Sequence, residues 1–160
     1  MDVYLVQHGL AVANEQDPQR PLSDEGRAAM RKVADYLADR KEQLIDPPIS
    51  AVLHSGKLRA RQTAEILVKA LGPQITPTTH ENMNPKDDAN IVYNQLMADR
   101  DQTAAIMLVG HLPHLGRLAG LLLAEDADKS PIRLVNSGVL KIGPLENNWA
   151  VEWYVTPACV

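Results

Sequence analysis

Three short apolar runs, each halted by a histidine and a glycine, constrain the fold of this chain more than any other feature. Asp2 to Gln7 ends at His8-Gly9, Ile49 to His54 runs into Ser55-Gly56, and Ala104 to Val109 stops at Gly110-His111. Runs of this length, rich in β-branched residues, read as buried strands. The stretches between them change to helical spacing. Ser23 is an N-cap with Asp24 and Glu25 in the first turn, followed by Ala28, Ala29, Val33, Leu37 and Ala38, and this helix is predicted to end before Pro47-Pro48. A second helix is expected from Gly56 to Leu71, stopped by Gly72-Pro73, and a third between Asp87 and Asp99, where Ile91, Val92, Leu96 and Met97 recur. Pro113 suits the first turn of a helix running through Leu115, Leu118, Leu121 and Leu122. Gln74 to Thr78 is read as a short edge strand. Arg133 to Ile142 and Trp149 to Val155 are read as two strands joined by a turn through Gly143-Pro144 and Glu146-Asn147-Asn148.

Strands alternating with helices of this length imply right-handed crossovers and a mostly parallel sheet covered on both faces, with one antiparallel strand. With 160 residues, 45% of them hydrophobic, one domain spanning 1 to 160 is expected and two are not. Open sheets of this kind carry their sites at the carboxyl ends of strands, so Gln7-His8-Gly9, His54-Ser55-Gly56 and Gly110-His111 should converge.

Composition removes several function classes. The net charge of -4, with acidic and basic residues interspersed, gives no footprint for nucleic acid or an anionic membrane. No apolar run reaches the length of a membrane span, and the opening Met-Asp-Val-Tyr lacks a basic leader, so the cytoplasm is the expected location. Cys159 is the one cysteine, which leaves no internal disulfide and no cysteine-based zinc cluster. The absence of Phe makes the expected core aliphatic.

At the tip of the first strand, beside Gly9, His8 has little steric cover, and a neutral ring nitrogen is a nucleophile. A phosphoryl group can pass through such a nucleophile without a metal if fixed donors match its oxygens. Arg59 opens the helix after the second strand, behind Ser55, Gly56 and Lys57, where a planar guanidinium and a helix N-terminus can both face an anion; Arg61 and Arg27 read as solvated. His111 puts a second imidazole at another strand tip, able to donate to a phosphoryl oxygen if protonated. His114 follows at His-x-x-His spacing, but no neighbouring Asp, Glu or Cys completes a ligand set, so no metal is expected. His54 and His80 read as local structural or surface histidines.

These segments carry a resemblance. Gln7-His8-Gly9, then Ser55-Gly56-Lys57-Leu58-Arg59-Ala60-Arg61-Gln62-Thr63, then Gly110-His111 resemble the histidine phosphatase superfamily. The short length and Arg20-Pro21-Leu22-Ser23-Asp24-Glu25-Gly26 are most similar to its bacterial SixA-type phosphohistidine phosphatases, over about residues 1 to 125. The resemblance implies a three-layer, phosphoglycerate mutase-like α/β/α sandwich and no cofactor or obligatory metal. It makes His8 the phosphorylated nucleophile, Arg59 the phosphate clamp together with Gln7 and Gly9, and His111 the second pocket histidine.

One departure matters. The family motif has arginine directly before the nucleophilic histidine, and this chain has Gln7, which donates hydrogen bonds but cannot neutralise a dianion. Weaker phosphate affinity follows. Many relatives also use a carboxylate acid, for which Glu81 is the first choice here, ahead of Asp87 and Asp88. An imidazole leaving group, with a conjugate-acid pKa of about 6.5, departs more readily than an alkoxide, so a weak acid argues for an N-phosphoryl substrate. The leading expectation is therefore hydrolysis of phosphohistidine on a phosphotransfer domain or phosphocarrier, a role in signal transduction. The alternatives are a small-molecule phosphomonoesterase and a module that binds phosphorylated ligands with little or no turnover.

Overall fold

The computed structural model describes residues 1 to 72 and 74 to 160. Strand β1 (Asp2–Gln7) pairs in parallel with β4 (Ala105–Gly110), which pairs in parallel with β2 (Ile49–His54); the edge strand β3 (Thr78–Thr79) completes the parallel part. On the other side of β1 lie β5 (Val139–Leu145) and then β6 (Asn148–Val155), giving the order β3-β2-β4-β1-β5-β6. Because β5 is antiparallel to both of its neighbours, it alone opposes the direction of the sheet.

Alternation along β1 shows why both faces are covered. Tyr4 and Val6 pack with Met30, Val33 and Leu37 of helix α1 (Asp24–Asp39) and with Ala64 and Leu67 of α3 (Leu58–Leu71). Val3 and Leu5 turn the opposite way, toward Val92 and Leu96 of α4 (Ala89–Ala98) and Leu115 and Leu118 of α5 (His114–Ala124). The result is a three-layer α/β/α sandwich. All four β1 side chains are fully buried, and each aliphatic one contributes about 2 kcal/mol by leaving water.

Local chemistry accounts for the helix starts. Ser23 accepts the Gly26 N–H and Asp88 accepts the Asn90 N–H, each satisfying a donor that the first helical turn leaves open. The first helix stops earlier than expected, at Asp39, and the short α2 (Lys41–Leu44) follows before Pro47. Helix α3 begins at Leu58 rather than Gly56, because Gly56 adopts a φ of 78° to turn the chain out of β2 while its N–H is taken by His54 Nδ1. Gly72 caps its end; Pro73, the other half of the expected stop, lies outside the described residues. The edge strand shrinks to Thr78–Thr79.

The C-terminal reading needs correction. Residues 133 to 138 form no strand but an irregular segment that crosses the tip of β1, and Gly143-Pro144 lies within β5, the turn falling at Glu146-Asn147. Pro144 is tolerated because β1 pairs with β5 only through Val139 to Ile142, so no inner neighbour calls on its missing N–H.

The order β2-β4-β1 positions the site. These strands are parallel and adjacent, about 4.8 Å apart, so their carboxyl ends emerge side by side, with Gln7 opposite Gly110 and His54 opposite Val109.

Candidate active site

His8 follows β1, and its backbone is tied down on three sides. Its N–H donates to the Gly110 carbonyl at 3.1 Å, and its own carbonyl accepts from Asn136 Nδ2 at 2.8 Å and from the Ser137 N–H at 3.4 Å. On the ring, Nδ1 lies 2.7 Å from the Gly9 carbonyl, which can only accept, so Nδ1 carries the proton and Nε2 holds a lone pair. Arg59 Nε donates to that Nε2 at 3.2 Å. Burial outweighs the opposing Gly9 bond and, with smaller contributions from Arg59 and Arg20, pushes the His8 pKa down to about 4. The ring is thus the free base at neutral pH.

One face of α3 organises this arrangement. The Thr63 hydroxyl donates to the Arg59 carbonyl at 2.8 Å and accepts the Gly9 N–H at 3.0 Å, while Gln62 Oε1 accepts the Leu22 N–H at 2.8 Å. Residues at i, i+3 and i+4 share a helix face, so Arg59, Gln62 and Thr63 grip the His8 segment and the Arg20-Pro21-Leu22 segment together. Both backbone polar groups of Gly9 are engaged inside the protein. Its missing side chain is required as well, since a Cβ there would lie 2.9 Å from the Gly26 carbonyl oxygen.

His111, 2% exposed, follows β4, and its ring centroid lies 4.7 Å from that of His8, the planes tilted by 58°. Its Nε2 shares a hydrogen bond with Ser55 Oγ across 2.5 Å, while its Nδ1 is buried without a partner. Burial first, then the neighbouring His8 and the cations Arg59 and Lys57, lower its pKa to about 3. The protonated donor considered from sequence is therefore a neutral ring at pH 7, with one N–H to offer. Burial and then Arg20 lower the Arg59 pKa, but a guanidinium starts so far above neutrality that the charge is kept.

The remaining candidates divide. The Gln7 carbonyl accepts the Ser137 N–H, and its side-chain Oε1 is buried without a partner, next in sequence to His8. Glu81 is exposed in the loop after β3 and lends only its backbone carbonyl, to Asn84. Asp87 is bound by Asn84, and Asp88 caps α4. His54 shapes the turn at Gly56, and His80 bonds Gln95. His114 is fully buried, and among the described residues neither ring nitrogen has a hydrogen-bond partner. Among the described residues no group of three or more His, Cys, Asp or Glu gathers as a metal site would require.

Sequence reasoning gave no role to Thr63, Ser55, Arg20, Asn136 or Ser137. The Arg59-x-x-Gln62-Thr63 spacing was a usable signal for Thr63. Nothing local marks Asn136 and Ser137, which reach His8 from the far end of the chain.

Comparisons with known proteins bear on the family and the fold. Residues 3 to 84 match the model of the histidine phosphatase superfamily (branch 1). An uncharacterised protein of Picosynechococcus sp. is 34% identical over 124 residues, 74% of this chain and 71% of that protein. Among solved structures, the protein histidine phosphatase SixA complexed with tungstate superposes with a TM-score of 0.83 at 26% identity, over 99% of this chain and 98% of that one. SixA from Agrobacterium tumefaciens gives a TM-score of 0.76 at 26% identity, covering 98% and 97%. Phosphoserine phosphatase from Entamoeba histolytica, in complex with 3-phosphoglyceric acid, shares the fold alone, with a TM-score of 0.70 at 14% identity over 99% of each chain.

Proposed function

Since the chain belongs to the histidine phosphatase superfamily (branch 1), we propose that it is a protein phosphohistidine phosphatase working through a phosphorylated His8. The observation that carries this is the state of His8: Nδ1–H is spent on the Gly9 carbonyl, Nε2 is unprotonated, and Arg59 stands at that nitrogen. In the first step the Nε2 lone pair attacks phosphorus, a His8 N–P bond forms, the substrate's N–P bond breaks, and the departing imidazole takes up a proton. Water then attacks the phosphorus of phospho-His8, releasing inorganic phosphate and restoring the free ring. Arg59 and His111 hold the phosphoryl oxygens; Gly9 fixes the His8 ring. Arg20, near enough to act on both His8 and Arg59, supplies part of the positive charge that Gln7 lacks. The tetrahedral oxyanion held by the SixA relative supports an anion site of this kind.

In this reading a single histidine phosphatase domain spans residues 1 to 160 and acts in the cytoplasm on a phosphotransfer domain or phosphocarrier. A nucleophile and a cationic clamp suffice for the chemistry, so no metal is assigned a step. Among the described residues no helix is long and apolar enough to cross a membrane. A small-molecule phosphomonoesterase is the second reading, for which Glu81 is the candidate acid: of the three considered, its carboxylate alone is not engaged in a hydrogen bond among the described residues.

The test is a turnover panel of phosphohistidine protein against phosphoserine, phosphotyrosine and sugar phosphates, with brief labelling by a phosphoryl donor. An acid-labile, base-stable label on His8, lost in His8→Ala, together with preference for the phosphohistidine protein, is expected. Equal labelling of wild type and His8→Ala removes His8 as nucleophile, and preference for sugar phosphates selects the second reading. Ligand binding without any label selects a non-catalytic binding module.

A further inference from the structure

We infer that Ser55 is a positioning residue that holds His111 in the tautomer protonated on Nδ1, so that this N–H is the donor meeting a phosphoryl oxygen beside His8. The inference rests on the phosphatase reading above, which supplies the anion that His111 meets.

Ser55 and His111 are 5% and 2% exposed, and the Oγ to Nε2 bond is the only one that the side chain of either makes among the described residues. Two arrangements of its hydrogen are open. If Nε2–H donates to Oγ, the serine proton has no acceptor and the Nδ1 lone pair has no donor, which leaves two buried groups unsatisfied. If Ser55 donates to Nε2, Nδ1–H and the serine lone pairs are left over, so the count alone is even. An anion beside His8 separates them: it accepts from Nδ1–H in the second arrangement and would face the Nδ1 lone pair in the first, so the occupied site favours the second.

The position of Nδ1 fits this role. The nitrogen belongs to a ring 4.7 Å from the His8 ring, the ring whose nucleophilic nitrogen Arg59 contacts, so an anion transferred to His8 would supply the missing acceptor. Both histidines then carry their proton on Nδ1 and use it oppositely. His8 spends Nδ1–H on Gly9 and presents a lone pair; His111 spends its lone pair on Ser55 and presents N–H.

Long-range nitrogen–proton correlation of the His111 ring in uniformly labelled wild type at pH 7, saturated with inorganic phosphate, reads the tautomer directly, and a protonated Nδ1 with an unprotonated Nε2 is expected. Ser55→Ala should shift the ring toward Nε2–H, lower kcat/KM for phosphohistidine protein about tenfold and weaken inhibition by inorganic phosphate by a similar factor. Ser55→Thr, which keeps the hydroxyl, should restore both, with melting curves establishing that each variant is folded. A wild-type ring protonated on Nε2, or a folded Ser55→Ala with unchanged kcat/KM, overturns the inference and leaves the phosphatase reading standing. Failure of that reading looks different: no phosphoryl label on His8, with the Nδ1–H tautomer intact.

Discussion

The ring centroids of His8, half-buried, and His111, buried, lie 4.7 Å apart, so neither ring can be protonated without charging the space beside the other. Burial and this proximity hold the two below the ordinary histidine range, at about 4 and about 3. The nucleophile must be unprotonated, so kcat/KM, corrected for substrate ionisation and spontaneous hydrolysis, should survive acidification past pH 6.5 and be lost only near pH 4. A midpoint near 6.5 would contradict the depressed value. Stability carries the matching sign: the unfolded chain takes up protons at about pH 6.5 while the folded rings do not. The urea midpoint should therefore be highest above that pH and fall as pH drops from there toward 3.

Gln7 and Arg20 form a second testable pair. Arg20→Gln removes a charge that acts on both His8 and Arg59, and inhibition by inorganic phosphate should weaken about tenfold. Gln7→Arg should tighten phosphate inhibition and raise turnover of oxygen esters more than that of phosphohistidine, because a poor leaving group demands more charge stabilisation. In the double variant Gln7→Arg should recover part of the Arg20→Gln loss. If neither change moves phosphate inhibition, neither residue contacts the phosphoryl group.

A packing prediction concerns Gly26. A Cβ at this position would run into the backbone of Leu10, two residues after His8, where the Ser23 N–H and hydroxyl also bond the Leu10 carbonyl. Gly26→Ala should destabilise the fold by about 2 kcal/mol, read by urea denaturation, and lower kcat by displacing Gly9 and the ring it orients. Unchanged stability would mean that α1 can retreat from the loop at no cost.

At the opposite end of β1, Lys141 donates to Asp2 at 2.8 Å, Glu152 at 2.7 Å and the Asp46 carbonyl at 2.7 Å. Burial opposes its charge, and these acceptors more than offset that, raising its pKa. Lys141→Met would leave the buried Asp2 carboxylate unpaired and should cost about 3 kcal/mol, part of it recovered by adding Asp2→Asn. Because Asp2 lies six residues along the strand from His8, about 20 Å away, and Lys141 pairs with Tyr4, about 13 Å away, kcat should hold in both variants under conditions where they are folded.

The sequence by itself determined the elements whose causes are local. The apolar runs of β1 and β2 appear at their expected bounds, and Ser23 starts α1 as expected, because a cap needs only the two or three residues after it. The spacing of His8, Arg59 and His111 was equally readable, since each follows a strand end. Tertiary structure decided what each nitrogen does. Ser55 meets His111 from 56 residues away and Asn136 meets His8 from 128, contacts that exist only once β2, β4 and β1 lie side by side. Residues 133 to 138 read as strand because Leu134 and Val135 suit one, yet they cross the tip of β1, where Val135 N–H bonds the Tyr154 hydroxyl and Ser137 N–H bonds the Gln7 and His8 carbonyls. Strand propensity is a fraction of a kcal/mol per residue, and the unpaired carbonyls ending a buried strand cost more than that, so the tip of β1 dictates the path of the segment that covers it.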